Sequence, residues 1–384
     1  MLARLTGSGT GALNFTVFFR ALLWGMTFFF LPLMLAGYGL TGIEIGALFS
    51  ILVVMSILST FPIGVLNDRA SIKAATLLGL LLLSLYYLLL SSASSFWLLV
   101  PVFVLGGLAS NMFETSALSM VFKSMGIFNR GKKLGIYYLA SSIGSGSGLL
   151  MGGLLLFNFD FRAVLMATSA LFLLVFAASL SLPGVKVARF PMMLYKELFM
   201  RKRVLLLVIP LVLFSTHWGA EHTSYSLFLR DNLGLGMLAS GLYMGIPILA
   251  LGIFAYISGM RIDKKRSSRS VFFAGLLLSG IFHALMTIPS VWLSFAFRII
   301  HEIGDAAVTV SYSVMFAGLF PKKTIAGNAG MMRVTMVAGN IIGCMVFGPI
   351  GYAWGYAWPF IISGAMAVLS AFALLASGKY LAKV

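Results

Sequence analysis

The chain alternates between long apolar runs and short polar turns, and this alternation limits its possible folds more than any other feature. Twelve runs approach or exceed the roughly 20 residues that an α-helix needs to cross a bilayer. They cover residues 12–36, 41–66, 72–92, 96–122, 134–157, 161–182, 204–229, 237–260, 270–289, 291–320, 325–350 and 356–378. Because backbone groups in lipid must bond internally, we predict an all-α integral membrane protein with twelve transmembrane helices. Eleven spans remain the alternative, if one glycine-interrupted run does not cross.

The composition agrees with lipid as the surrounding medium. Charged residues make up 10% of the chain and hydrophobic residues 60%, whereas a soluble domain carries roughly 25% charge. The lone Cys344 rules out an internal disulfide. The chain also lacks a GxxxxGK[ST] phosphate loop. We therefore predict no ATP-driven step within this chain, and we expect neither an enzyme nor a cofactor.

Lysine and arginine are unevenly distributed between the turns. Most of the 27 basic residues lie before the first run and in the even-numbered connections, on one predicted face. The positive-inside rule then predicts a multi-pass protein of the cell membrane with both termini in the cytoplasm. The net charge of +17 is spread over short loops, so we predict no nucleic-acid partner.

A charged turn occurs twice, at a distance of half the chain. Gly64 and Gly259 are 195 residues apart, and so are Asp68 and Asp263. A repeat of this length indicates an internal duplication, which is common among transporters. We predict two pseudo-symmetric six-helix bundles.

The longest polar interruption separates the two predicted bundles. It spans residues 183–203 and contains prolines, basic residues and large apolar side chains. This mixture favours a short amphipathic helix at the inner leaflet. The predicted domains are an N-terminal bundle at 1–182, a cytoplasmic linker at 183–203 and a C-terminal bundle at 204–384.

The first copy of the charged turn resembles a motif of the major facilitator superfamily. The matching residues are Gly64, Asp68, Arg69 and Lys73, while Ser71 and Ile72 depart from the pattern. The resemblance implies the major facilitator fold and a gate in which Asp68, with Asp263 as its later counterpart, holds the inner helix ends. An acid at a helix end can also cap backbone donors. The alternative is a turn whose basic residues only orient the chain.

The fifth run carries glycines at intervals of about four residues. They are Gly135, Gly144, Gly148, Gly152 and Gly153. The spacing is similar to the glycine motif of the drug–proton antiporter branch, although Leu149 replaces the usual proline, and the resemblance implies export. Such spacing also lets two helices approach closely, which is a purely structural explanation.

A third resemblance lies in the tenth run, where the segment from Arg298 to Asp305 is similar to the family's span-4 motif. The fourth run itself has no arginine but contains Asn111 and Glu114. In this superfamily spans 1, 4, 7 and 10 line a central cavity. The resemblance therefore implies that charged residues of these spans face the cargo.

Ionisable side chains within the spans are costly in lipid and are expected to have partners. Arg20 and Glu114 both lie about 12 Å from the cytoplasmic end of their spans, at 1.5 Å per residue. We predict that they pair. Glu221 and Arg298 have matching depths near the outer end and form a second predicted pair. A structural role in holding the bundle is the alternative for the first pair.

The tenth run presents four ionisable residues along one helix face. They are Arg298, His301, Glu302 and Asp305. The seventh run adds His217 and Glu221, one turn apart. We predict proton coupling on Glu221, Glu302 and Asp305, with histidines as relays. A buried salt-bridge network that fixes packing is the alternative.

Histidine spacing does not predict a resident metal. The segment His217-x-x-x-Glu221-His222 differs from the metalloprotease motifs, and a divalent ion remains an alternative only as cargo. His283 in the ninth run is expected to make one hydrogen bond to a neighbouring helix.

These patterns together predict a monomeric, proton-coupled secondary transporter that works by alternating access, with the proton gradient as its energy source. Its partners are a small-molecule substrate, protons and membrane lipids. Our first hypothesis is export of amphipathic or organic compounds in exchange for protons. A proton-linked symporter or facilitator of a small, anionic metabolite is the second. A non-transporting membrane sensor or assembly factor is the third.

Overall fold

The protein is described by a computed structural model that covers residues 8–28, 30–40, 42–124, 129–184, 196–198, 200–265 and 267–376. The thirteen regular elements of these residues are all α-helices. They are α1 (Ser8–Phe28), α2 (Leu31–Gly37), α3 (Gly42–Arg69), α4 (Ile72–Leu90), α5 (Phe96–Ser124), α6 (Arg130–Asn158), α7 (Phe161–Ser179), α8 (Lys202–Asp231), α9 (Met237–Lys265), α10 (Ser268–Leu285), α11 (Val291–Leu319), α12 (Ile325–Trp354) and α13 (Trp358–Ala376).

The helices follow the predicted apolar runs closely. Ten of them are long and apolar enough to cross a membrane, among the described residues. Two further long helices, α1 and α11, contain the charged side chains that sequence analysis singled out. The all-α membrane fold is confirmed, and the count of twelve spans stays a prediction. Most of the predicted linker at 183–203, and both chain termini, lie outside the described residues.

The chain divides into two compact units. Unit 1 comprises Met1–Ser124, Ala140–Phe190 and Lys322–Gly330. Unit 2 comprises Met125–Leu139, Pro191–Pro321 and Met331–Val384. The first turns of α6 thus group with unit 2, and the first turns of α12 group with unit 1.

The two units repeat the same packing scheme. In unit 1, α5 packs on α3 and α4, and α7 packs on α4 and α1. In unit 2, α11 packs on α9 and α10, and α13 packs on α10 and α8. Each contact in unit 1 becomes a contact in unit 2 when both helices are replaced by those that lie six predicted spans later in the chain. The predicted duplication therefore appears in the packing as well as in the sequence.

Equivalent turns also share an unusual backbone conformation. Gly39, after α2, has φ of 83°, and Gly234, after α8, has φ of 65°. Glycine adopts this left-handed region without steric cost. The two glycines are 195 residues apart, the same period that separates the charged turns.

Glycines bring α6 against α1 in unit 1. A Cβ at Gly144 would lie 2.3 Å from the carbonyl oxygen of Phe18, and one at Gly148 would lie 2.2 Å from that of Leu22. Gly152 is equally close to Met26, at 2.1 Å. No side chain fits at such distances, so these glycines permit direct backbone contact.

Unit 2 contains the matching contact between α12 and α8. A Cβ at Gly339 would lie 2.5 Å from the Val212 carbonyl oxygen, and one at Gly343 would lie 2.1 Å from that of Thr216. The other two glycines of the α6 motif differ: Gly135 lies against Tyr256 of α9, and the nearest atom to a Cβ at Gly153 is 3.7 Å away. Close helix packing therefore explains the glycines in both units.

Candidate functional site

Asp68 lies at the end of α3 and is completely buried. Its carboxylate accepts hydrogen bonds from the backbone N–H groups of Ala326, at 3.3 Å, and Gly327, at 2.7 Å. Both groups belong to the first turn of α12. Lys123 Nζ lies 2.8 Å from Asp68 Oδ1. The acid thus satisfies orphan donors of a helix start and a buried ammonium at the same time.

Asp263 repeats this arrangement in unit 2. Its two carboxylate oxygens accept from the N–H groups of Gly131, at 2.9 Å, and Lys132, at 2.8 Å, in the first turn of α6. Gly64 and Gly259 allow these approaches, since a Cβ would lie 2.6 Å from Ala326 O and 2.0 Å from Gly131 O.

The basic residues of the two turns also have equivalent partners. Lys73 donates to the carbonyl of Leu180, just after α7, at 2.7 Å, and Arg269 donates to that of Leu375 in α13 at 3.3 Å. Arg69, at the end of α3, is exposed. The two turns therefore make equivalent contacts with the backbone of neighbouring helices.

Arg20 and Glu114 form the predicted ion pair of unit 1. Arg20 Nη2 lies 2.7 Å from Glu114 Oε1 and also bonds Ser110. The guanidinium lies 4.9 Å from the ring of Trp24. The Glu114 side chain is 28% exposed and that of Arg20 is 8% exposed. A single, partly accessible carboxylate thus faces a single arginine.

A neutral polar network connects α3 with α5 in the same unit. Asn111 accepts from Thr60 at 3.2 Å and donates to Ser59 at 2.9 Å. One turn away, Ser116 donates to Asn67 at 3.1 Å. These contacts extend from the level of Glu114 along the helices toward Asp68. Unit 1 is therefore rich in neutral hydrogen bonds.

Unit 2 holds a denser group, which we call the histidine–carboxylate cluster. It consists of His217, Glu221, Ser279, His283, Arg298, His301, Glu302 and Asp305, from α8, α10 and α11. Arg298 bonds Glu221 directly, as predicted, and lies 2.5 Å from Glu302. It also lies 4.8 Å from the ring of Tyr225. The single positive charge of Arg298 is thus paired with two negatively charged carboxylates.

Two histidines of the cluster contact the third carboxylate. His217 Nε2 lies 3.1 Å from Asp305 Oδ2, and His301 Nε2 lies 3.9 Å from Asp305 Oδ1. Ser279 donates to Asp305 Oδ1 at 2.6 Å. The four predicted residues of α11 therefore share one site, and His217 and Glu221 of α8 join them there.

His283 corrects an expectation from the sequence. Neither of its ring nitrogens has a hydrogen-bond partner among the described residues, although the side chain is completely buried. Its ring instead packs on those of His301, at 4.6 Å, and His217, at 5.2 Å. The face of α10 that carries His283 is turned toward the cluster, where the nearest groups are other histidines.

The cluster offers two sets of ligand atoms that could hold a metal ion. One set is His217, His301 and Asp305, and the other is Glu221, His283 and His301. Within each set the ligand atoms lie within 4.8 Å of one another. Besides metal binding, buried carboxylates beside histidines can store and exchange protons.

Sequence reasoning did not identify the neutral members of either site. Ser279 lies one turn before His283 on α10, and Tyr225 lies one turn after Glu221 on α8. Spacing by four residues from a predicted polar residue was the available signal. Ser110, the partner of Arg20, is likewise four residues before Glu114.

The chain and its fold are similar to those of known proteins. The sequence profile described as Major Facilitator Superfamily matches residues 13–270 and 224–380. The crystal structure of the human organic anion transporter MFSD10 (TETRAN) superposes with a TM-score of 0.82 at 15% identity, covering 95% of this chain and 98% of the other. At that identity the likeness shows the fold.

Two curated relatives match over a shorter stretch. The multidrug resistance protein MdtH of Sodalis glossinidius (strain morsitans) is 31% identical over 135 residues, which are 34% of this chain and 33% of the relative. The multi-drug resistance efflux pump PmrA homolog of Lactococcus lactis subsp. lactis (strain IL1403) is 27% identical over 133 residues, which are 35% and 33% of the two chains. The chain therefore matches about a third of the length of each relative.

Proposed function

Because this chain belongs to the Major Facilitator Superfamily, we propose that it is a proton-coupled exporter of amphipathic organic molecules. It is a multi-pass membrane transporter and not an enzyme. In the proposed cycle, the cargo site opens alternately to the two sides of the cell membrane. Protons that return down their gradient drive the cargo outward.

The observation that carries this proposal is the charge of the histidine–carboxylate cluster. Its three carboxylates face a single guanidinium, so that neutral histidines leave two negative charges buried among the helices. Buried charge of this kind is costly unless a cation or a proton compensates it. Protons held on Glu221, Glu302 or Asp305, and relayed by His217 and His301, would supply that compensation.

The second element of the proposal is a pair of acidic helix caps. Asp68 and Asp263 each hold the start of a helix through two backbone hydrogen bonds. We propose that these bonds close the cytoplasmic side and that they break when the transporter opens inward. Because these bonds are charge-assisted, the closed state would depend on the ionisation of Asp68, which the buried Lys123 stabilises.

Export is favoured by the names of the two curated relatives, both described as multidrug resistance or efflux proteins. The glycines of α6 add no separate support, since α12 has the same close contact. Import of an anionic metabolite finds little support in the cluster. Arg20 and Arg298 are both matched by carboxylates and present no surplus positive charge.

The proposal is tested with purified protein in liposomes that contain a pH-sensitive dye. A panel of fluorescent amphipathic cations and organic anions is added under an imposed pH gradient. We expect at least one compound to move against its own gradient while protons move the other way. The variant Asp231→Asn, which alters an exposed carboxylate at the end of α8, serves as the matched control.

The possible outcomes separate the hypotheses. Cargo movement without proton movement would identify a facilitator, and cargo and protons moving together would identify a symporter. Binding without any movement would identify a sensor. Each of these results contradicts the proposed exchange.

A further inference from the structure

We infer that unit 2 contains a binding site for a divalent first-row transition cation of the Zn²⁺ class. Its ligands are the Nε2 atoms of His217 and His301 together with the carboxylate of Asp305. The sequence alone predicted no resident metal, because two of the ligands lie on α11 and one on α8. The inference shares His217, His301 and Asp305 with the proposed function, but ion binding is measured in the purified protein without any transport.

The first argument is the orientation of the two imidazole rings. His217 Nδ1 lies 2.5 Å from the backbone carbonyl oxygen of Phe214, and His301 Nδ1 lies 2.9 Å from that of Ser279. A carbonyl oxygen only accepts, so each Nδ1 must carry the proton. In a neutral ring, Nε2 then presents a lone pair. Metal-binding histidines typically donate their other N–H to a carbonyl or carboxylate in this way.

The second argument is where these lone pairs point. His217 Nε2 lies 3.1 Å from Asp305 Oδ2, and His301 Nε2 lies 3.9 Å from Asp305 Oδ1. The His301 atom is buried and has no hydrogen-bond partner among the described residues. The lone pair of a neutral imidazole and a carboxylate oxygen repel each other, so a proton or a metal cation has to lie between the two atoms.

The third argument is the spacing of the ligand atoms. All three lie within 4.8 Å of one another. Bonds of about 2.0–2.2 Å in a tetrahedral zinc site place ligand atoms roughly 3.3 Å apart. The His217–Asp305 distance is already of this size, the His301–Asp305 distance needs a contraction of about 0.6 Å, and the 4.8 Å limit on every pair allows for at most about 1.5 Å. Glu221 Oε1, which bonds Arg298, lies 3.5 Å from His301 Nε2.

The fourth argument concerns the kind of ion. A divalent cation would balance the two uncompensated negative charges of the cluster. Imidazole nitrogen favours Zn²⁺, Co²⁺, Ni²⁺ or Cu²⁺, whereas Mg²⁺ and Ca²⁺ prefer oxygen ligands. Ser279, which donates to Asp305 Oδ1 at 2.6 Å, would orient the ligating carboxylate from outside the metal.

The test is a titration of the purified, chelator-treated protein with Co²⁺ in detergent near neutral pH. We expect saturable binding of one equivalent, with the visible absorption of low-coordinate Co²⁺ and its displacement by Zn²⁺. His217→Gln and His301→Gln should each weaken binding at least roughly tenfold, as is usual for loss of a ligand. His222→Gln is the matched control, because His222 is an exposed histidine of the same helix.

Two results would overturn the inference. One is a wild-type protein that shows no saturable Co²⁺ binding, a result that does not depend on whether any variant folds. The other is binding that survives in His217→Gln but is lost in His283→Gln, which would assign the ion to the second set of ligands. Thermal unfolding with and without Zn²⁺ checks the folded state of each variant, and transport measured in chelator tests the proposed function separately.

Discussion

The two units share one scaffold but place their charge differently. In unit 1 the ion pair Arg20–Glu114 lies beside a network of neutral side chains between α3 and α5. Unit 2 concentrates three carboxylates, three histidines and one arginine on α8, α10 and α11. Helix packing, glycine contacts and acidic caps are nevertheless equivalent. The two units therefore share the contacts that involve the backbone, and they differ in the number of ionisable side chains that they bring together.

The largest expected effect is the loss of stability on removing a buried arginine, and we expect this loss to be larger in unit 2 than in unit 1. Arg298→Met would leave Glu221 and Glu302 without their cation and should lower the free energy of unfolding by about 3–5 kcal/mol. Arg20→Met should cost less, about 1–2 kcal/mol, because the single carboxylate of Glu114 is partly exposed. Thermal unfolding in detergent measures both. Adding Glu302→Gln to Arg298→Met should restore part of the loss, and equal costs for the two arginines would contradict the comparison.

The glycine contacts should respond alike in both units. Gly148→Ala and Gly343→Ala each introduce a Cβ about 2 Å from a carbonyl oxygen, and we expect each to cost about 1–3 kcal/mol. Gly153→Ala is the matched control, since the nearest atom lies 3.7 Å away. Unfolding measurements in which Gly148→Ala behaves like Gly153→Ala would show that the close packing is not rigid.

Proton coupling should depend more on unit 2 than on unit 1. We expect at least one of Glu221→Gln, Glu302→Gln and Asp305→Asn to reduce gradient-driven transport roughly tenfold, about 1.4 kcal/mol, while cargo exchange without a gradient continues. Glu114→Gln should lower the ratio of gradient-driven transport to gradient-free exchange by a smaller factor. Flux in liposomes with and without a pH gradient measures it. Full gradient-driven transport in all three unit 2 variants would remove the cluster from coupling.

The acidic caps give the smallest expected difference. Asp68→Asn and Asp263→Asn should both slow the transport cycle while leaving cargo binding intact, because each loses a charge at a helix start. Asp68 should matter more, by roughly fivefold, since it is also the buried partner of Lys123. Turnover and equilibrium binding of the same cargo provide the comparison. Wild-type turnover in Asp68→Asn would remove the gating role.

Helix positions and helix pairing could be predicted because regular geometry converts sequence distance into depth. A rise of 1.5 Å per residue predicts that Arg20 lies level with Glu114, and Glu221 level with Arg298. Both pairs are formed. The duplicated turn was likewise visible as a fixed separation between identical residues.

The remaining contacts could not be predicted because they depend on backbone N–H groups and on helix rotation, and no particular side chain in the sequence marks either of them. Asp68 bonds backbone N–H groups of α12, which lie 258 and 259 residues away along the chain. Every residue except proline carries such a group, so the sequence does not mark the partner. The orientation of His283 toward the cluster depends on how α10 packs on α11, and one-dimensional spacing does not determine that rotation.

The equivalence of the two turns has a consequence for how such a chain can evolve. Asp68 and Asp263 hold helix starts through main-chain atoms, and the paired glycines touch main-chain atoms as well. Contacts of this type tolerate almost any change in the neighbouring side chains. A duplication of the kind predicted from the sequence would let one copy gain or lose ionisable residues while both copies kept the architecture.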